Sequence, residues 1–182
     1  GFGKALTTQY DLAVGIENVL NELPHSLMNN VGLVSLSTTL ATNAVVEGYG
    51  APVGLLLAGY KPLHIERSDI KTLVRQGELA LINGGHDASG SETSPVDLAS
   101  AQKILLGWKN RVSAIGISGV FSVRNPTHEI ALRKLAEECT GLPITCGHEL
   151  ASLLDAPRRA VTVAINASLI PFISELIHSV QA

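Results

Sequence analysis

The 182-residue chain is 46% apolar, 16% charged and only 4% aromatic, with a formal net charge of -3 and no block of like charges. This balance excludes a disordered tail, and the lack of a basic stripe interleaved with aromatics leaves nucleic acid without a footprint. A core of Ala, Val, Leu and Ile in a chain of this length predicts one good-sized α/β domain or two small ones.

The first residues, "GFGKALTTQYD", carry no apolar signal core, and no uninterrupted apolar run reaches the roughly 18 residues needed to span a bilayer, so no membrane partner is expected. Asp11 to Leu23 then places Leu12, Ile16, Val19, Leu20 and Leu23 on one helical face, closed by Pro24. "VGLVSL" (Val31–Leu36) reads as a buried strand, Thr42 to Glu47 as a short helix, and "PVGLLLA" (Pro52–Ala58) as a second buried strand. The β-α-β order implies parallel pairing. Between strand and helix, "STTLATNAVVEG" holds Ser37, Thr38, Thr39, Thr42 and Asn43 within seven residues. One such residue suffices to cap a helix. The surplus sits where parallel α/β sheets bind ligands, at the carboxyl end of a strand, so turn chemistry and ligand contact are both open on these residues alone.

Past Tyr60 a short helix is expected at Ser68–Arg75, and "NGGHDASGSETSP" reads as an exposed polar loop. Its "GGHD", Gly84–Asp87, pairs an imidazole with a carboxylate, but with no third ligand at recognisable spacing it reads as a solvated loop, and no metal site is expected. A second regular unit follows. Ser94 and Pro95 are the expected start of a helix carrying Leu98, Ala101, Leu105 and Trp108 on one face, and "VSAIGIS" is a strand. "NPTHE" opens another helix, with Glu129 facing the helix dipole and Gly141 as the stop. "LPITC" is a further strand, and Ala160 to Val180 a helix that Pro171 kinks or divides. His128 and His148 read as cap or surface residues, and Arg158 and Arg159 as a solvated pair able to meet an anion. Cys139 and Cys146 have no metal or redox spacing and read as free thiols, which fits a reducing, cytoplasmic compartment. The expected organisation is a unit over 1–60, a connecting segment over 61–94 and a second unit over 95–182.

Taken in order, "STTLATNAVVEGYGAPVGLLLAGY", "NPTHE", "GHEL" and "RAVTVAINASLIP" resemble the amino-terminal region of the hydantoinase/oxoprolinase family across nearly the whole chain. Thr38 to Ala44 is similar to that family's G-T-T-x-A-T-N-A segment, and "NPTHE" to its N-P-x-H-E. The resemblance implies part of an actin-like, ribonuclease H-like ATPase fold. It implies a longer enzyme that uses ATP and magnesium to open a cyclic amide such as a hydantoin or 5-oxoproline, probing a small substrate alongside a second enzyme subunit. The related ketone carboxylase subunits are the alternative, and a non-catalytic binding or assembly domain a third. Thr38, Thr39, Thr42 and Asn43 become the expected substrate- or nucleotide-facing residues, with catalytic residues unassigned.

Two motifs depart from the family pattern: Leu36 and Ser37 replace the H-G before the threonines, and Arg158 replaces the acidic residue of E-R, while Arg159 keeps the basic one. The family's D-x-G-G-T phosphate cradle does not precede Lys4. The chain is accordingly expected to be a domain of a longer enzyme, to need the rest of that polypeptide, and to hold no cofactor and turn over no substrate by itself.

Overall fold

A computed structural model describes residues 3–5, 12–24, 26, 31–32, 39, 42–43, 47–48, 50–66, 68–74 and 77–181. Contacts group the chain into two compact units, Gly1–Asn43 with Phe172–Ala182, and Ala44–Pro171. The sheet of the second unit draws strands from both sides of the polar segment at 84–94 into one layer.

In the first unit, α1 (Leu12–Asn21) half-buries Ile16 and Val19 and ends in the turn bonds Glu22 N to Val19 O and Leu23 N to Leu20 O, before Pro24. The backbone N–H of Lys4 donates to Glu22 Oε2 at 3.0 Å. The strand expected at Val31–Leu36 lies outside the described residues apart from Val31 and Gly32.

The second unit is a three-layer α/β sandwich. Its parallel sheet has the order β2 (Glu78–Ile82), β1 (Val53–Ala58), β5 (Ala114–Gly119), β6 (Ile144–Cys146). Strand β1 is buried at every residue, which is why "VGLLLA" reads as a continuous apolar run. Leu56 and Ala58 point into a core shared with Ala101, Leu105 and Trp108 of α4 (Leu98–Trp108) and Leu132 and Ala136 of α5 (Thr127–Thr140). Leu55 and Leu57 point the other way, into a core with Ile65 of α2 (Pro62–Glu66), Ile70 of α3 (Ile70–Leu73) and Ala160 and Val163 of α7 (Ala156–Gln181). Alternation along one strand thus feeds two cores. Gly54 is required by the first, since a Cβ there would lie 2.5 Å from the Trp108 ring.

Three local expectations change. Helix α4 is capped by Asp97, whose carboxylate accepts from Ser100 N at 2.9 Å and Ser100 Oγ at 2.7 Å, and not by Ser94, because Pro95 and Val96 precede the helix, with Val96 packing into the core. Those bonds hold the Asp97 carboxyl below the usual range. The polar segment is also not a bare loop: β3 (Gly85–His86) and β4 (Glu92–Ser94) form an antiparallel ribbon around a turn in which Asp87 Oδ1 accepts from Ser89 N, Ser89 Oγ and Ser91 N. Helix α7 runs through Pro171 as one element, and the two units divide directly after that residue. By length and composition Ala156–His178 could cross a membrane; 28% of its apolar stretch is buried, with Ala160, Val163 and Ala167 packed into the cores of the second unit.

Candidate functional site

Because β1, β5 and β6 run parallel, their carboxyl ends share one edge, and Tyr60, Ser118, Gly119, Gly147 and His148 emerge there together. This is the edge at which open α/β sheets place their chemistry. Glu129 reaches it from the first turn of α5 and is fully buried. Its Oε1 accepts from Gly119 N at 2.7 Å, and its Oε2 accepts from His148 N at 2.8 Å and lies 2.6 Å from His148 Nδ1. Glu129 does stand in the first turn of α5, as the helix dipole favours, and its hydrogen-bond partners are strand-end amides and an imidazole.

Arg159 closes the other side. It is 2% exposed, with Nη2 donating to Gly119 O at 2.6 Å and Nη1 to Leu153 O at 2.7 Å. The solvated pair expected of Arg158 and Arg159 is thus split, with only Arg158 at the surface, because one turn of α7 faces the sheet edge with its second arginine. Gly119 is held at both its polar groups, N–H to an acid and C=O to a base. Gly147 sits tightly in the cluster: a Cβ there would stand 3.0 Å from Glu129 Oε1, 3.1 Å from Ser118 Oγ and 3.3 Å from Arg159 Cδ, so a side chain would press on all three.

Tyr60 completes the cluster, donating to Ala156 O at 2.6 Å and pairing with Ser118 Oγ at 2.8 Å. Burial pushes its hydroxyl up to about 12, so it stays a neutral donor at physiological pH. Burial, reinforced by Glu129, pushes the Cys146 thiol up to about 12 as well. Ser122 Oγ and Arg159 Nε are buried without a hydrogen-bond partner beside this edge. Phe121, between the end of β5 and Ser122 in sequence, takes a left-handed φ of 59° where the chain turns away from the sheet. His148, whose side chain is 20% exposed, is the cluster's contact with solvent.

The ribbon brings together a second pair. His86 is buried, its ring centroid 4.1 Å from that of His128, while His128 Nε2 meets Glu92 Oε1 at 2.7 Å and His86 Nε2 meets Thr127 Oγ1 at 3.3 Å. The solvated-loop reading of "GGHD" and the surface reading of His128 are both corrected, since the ribbon folds its histidine onto the start of α5. Burial first, and His128 second, lower the His86 pKa below its ordinary 6.5, against the opposing pull of Glu92 and Asp87. With the folded value below the unfolded one, the fold has its full stability from this group above about pH 6.5 and loses it as pH falls from there through the folded value. Denaturant midpoints followed from pH 7.5 to 5.5 are expected to fall, and His86→Gln to flatten that slope; an equal slope in the variant would remove His86 as its source.

Of the residues expected to face a ligand, Thr38 lies outside the described residues. Thr39, Thr42 and Asn43 are exposed in the first unit, Thr42 and Asn43 in helical conformation, with Asn43 N donating to Thr39 O at 2.9 Å and Asn43 Nδ2 at 3.5 Å from Thr39 Oγ1. Sequence reasoning missed the convergence of Glu129, His148 and Arg159, and the usable signal was positional: each flanks the end or start of an element at one edge of a parallel sheet.

The comparisons with known proteins agree with this architecture. The family model of the hydantoinase/oxoprolinase N-terminal region matches residues 1–140. The chain is 29% identical to the caprolactamase subunit alpha of Pseudomonas jessenii, over 98% of this chain and 29% of that protein. It is 23% identical to the acetophenone carboxylase gamma subunit of Aromatoleum aromaticum, over 91% of this chain and 28% of that subunit. The crystal structure of the ATP-dependent caprolactamase from Pseudomonas jessenii superposes with a TM-score of 0.73 at 26% identity, covering 98% of this chain and 29% of that one. Nucleotide-free acetone carboxylase shares the fold with a TM-score of 0.65 at 17% identity, over 97% of this chain and 30% of that one. The chain thus spans less than a third of the length of these relatives. With the family model covering most of its residues, the chain belongs to the hydantoinase/oxoprolinase family, as part of its N-terminal region.

Proposed function

We propose that the chain is a domain of an ATP-dependent enzyme that opens a small cyclic amide of the lactam, hydantoin or 5-oxoproline type, together with the rest of its polypeptide and a second subunit. The observation that carries this reading is the similarity, over 98% of the chain, to a caprolactamase subunit whose solved structure is described as ATP-dependent. ATP with magnesium belongs, on this reading, to the full-length cytoplasmic enzyme. The described residues of the threonine-asparagine turn offer hydroxyl and carboxamide groups and no carboxylate. That donor set suits an amide carbonyl or a phosphoryl oxygen and does not by itself ligate magnesium, which takes carboxylates. The similarity to the acetophenone carboxylase gamma subunit supports a second reading, a part of a ketone carboxylase.

The test is ATP hydrolysis by the full-length enzyme with its partner subunit, challenged in turn with caprolactam, 5-oxoproline, hydantoin, and acetophenone with bicarbonate. Stimulation by a cyclic amide supports the first reading, and stimulation only by the ketone replaces it with the second. In the same enzyme, Thr39→Ala and Asn43→Ala are each expected to lower turnover at least roughly a hundredfold, the lower bound of what losing one positioned donor costs. In the isolated chain the same changes should alter stability by no more than about 1 kcal/mol. Wild-type turnover in both variants would move the substrate away from this turn.

A further inference from the structure

Among the described residues, one cluster combines three different metal-binding chemistries: the carboxylate of Glu129, the thiol of Cys146 and the imidazole of His148 offer ligand atoms that all lie within 4.8 Å of one another. Cys146 is the last residue of β6, His148 stands two positions on in α6 (Gly147–Leu150), and Glu129 comes from α5. Three ligands on three separate elements, each held by the sheet edge, form a rigid set. Nothing in the proposed cyclic-amide reading assigns them a role.

We propose that Glu129, Cys146 and His148 bind one divalent transition-metal ion of the zinc class. Sulfur, nitrogen and oxygen together select zinc, and its cobalt substitute, over magnesium or calcium, which take oxygen ligands. The ion replaces one proton's position, the link between Glu129 Oε2 and His148 Nδ1 at 2.6 Å. Tetrahedral zinc would open that separation to roughly 3.3 Å. The bonds from Gly119 N to Oε1 and from His148 N to Oε2 need not break, so the carboxylate stays oriented by backbone amides while it ligates. The Cys146 sulfur has only a long contact, 4.0 Å to Glu129 O, to give up.

Proton accounting is simple. The Nδ1 proton of the imidazole moves to Nε2 of the same ring, the thiol proton leaves to solvent, and the ion's two positive charges meet the thiolate and the carboxylate. One proton is released per ion, because a metal takes the cysteine sulfur as its thiolate. Arg133 pairs with Glu149 beside the site, and Arg159 directs its Nη atoms to the carbonyl oxygens of Gly119 and Leu153 and not to a ligand atom of the set. With three protein ligands the fourth coordination position is open, and the part-exposed His148 side lets water or a substrate oxygen reach it. That is the pattern of a zinc that binds and polarises oxygen, and not of a closed structural zinc.

The test uses the 182-residue chain stripped with a chelator and titrated with cobalt(II), followed by competition with zinc(II). Expected are one equivalent bound, tetrahedral d–d bands, a thiolate-to-cobalt charge-transfer band, and about one proton released per ion, read with a pH indicator. Cys146→Ala should abolish the charge-transfer band, His148→Gln should weaken binding at least roughly tenfold, and Cys139→Ser should change neither. Wild-type protein that binds no cobalt at micromolar concentration, or binds it without a thiolate band, overturns the site without reference to any variant. A band that persists in Cys146→Ala or vanishes in Cys139→Ser overturns it too. None of these readouts depends on turnover of a cyclic amide, so the metal site and the proposed activity stand or fall separately.

Discussion

Replacing Glu129 by alanine is expected to lower the stability of the isolated chain by about 3–5 kcal/mol, the range seen when one member of a buried charged network is removed. The side chain is fully buried and satisfies two backbone N–H groups, those of Gly119 and His148, together with the His148 ring. Truncation leaves both amides without an acceptor, and each buried orphan costs about 1–3 kcal/mol. It also removes the negative charge that grips the Gly119 N–H while the buried Arg159 guanidinium, 2% exposed, grips the carbonyl of the same residue. Urea denaturation followed by circular dichroism reads the effect as a lower midpoint, and Glu129→Gln should cost less because one oxygen still accepts. A loss of under 1 kcal/mol in Glu129→Ala would mean that water or a rearranged His148 takes over the acceptor role.

How much of this was legible in the sequence differs by element, for physical reasons. The central strands were: β1 is buried on both faces, so its residues must all be apolar, and "VGLLLA" admits little else. Helix α5 announced both its ends, through the Asn125 side chain accepting from Thr127 N and through Gly141 at φ 66°. The β3–β4 ribbon was not legible. Its strands are two and three residues long, too short for any alternation, and its glycines and serines spell turn whether or not strands flank the turn. The candidate site was hidden by a sound rule, that Glu, His and Arg belong at the surface. Glu129, His148 and Arg159 break it together, because each satisfies the others' strand-end peptide groups, and that is a property of tertiary convergence with no local spacing to betray it. The exposed turn at Thr39 and Asn43 shows the opposite case: its composition drew attention at once, while its environment is supplied by residues whose contacts the sequence could not name.

Arg159→Met is the companion prediction, with an expected loss of about 3–4 kcal/mol. Methionine keeps the aliphatic volume beside Gly147 but removes the charged donors to two carbonyls, leaving Gly119 O with only the Ser122 N–H at 3.3 Å and taking from Leu153 O its bond to Nη1. The guanidinium also has a buried Nε with no partner among the described residues, so the wild-type residue already carries one unmet desolvation cost, and the loss should fall below that of a fully satisfied arginine. The informative experiment is the double variant Glu129→Gln with Arg159→Met. Because Glu129 holds the N–H of Gly119 and Arg159 holds its C=O, each group polarises the peptide unit that the other grips, and each leaves an uncompensated buried charge when its partner is removed. The double variant should therefore be less destabilised than the sum of the singles, with a coupling of about 1–2 kcal/mol across one residue. Strict additivity in denaturant midpoints would show that the two clamps act independently, and that the end of β5 is held by hydrogen bonds alone without mutual charge compensation.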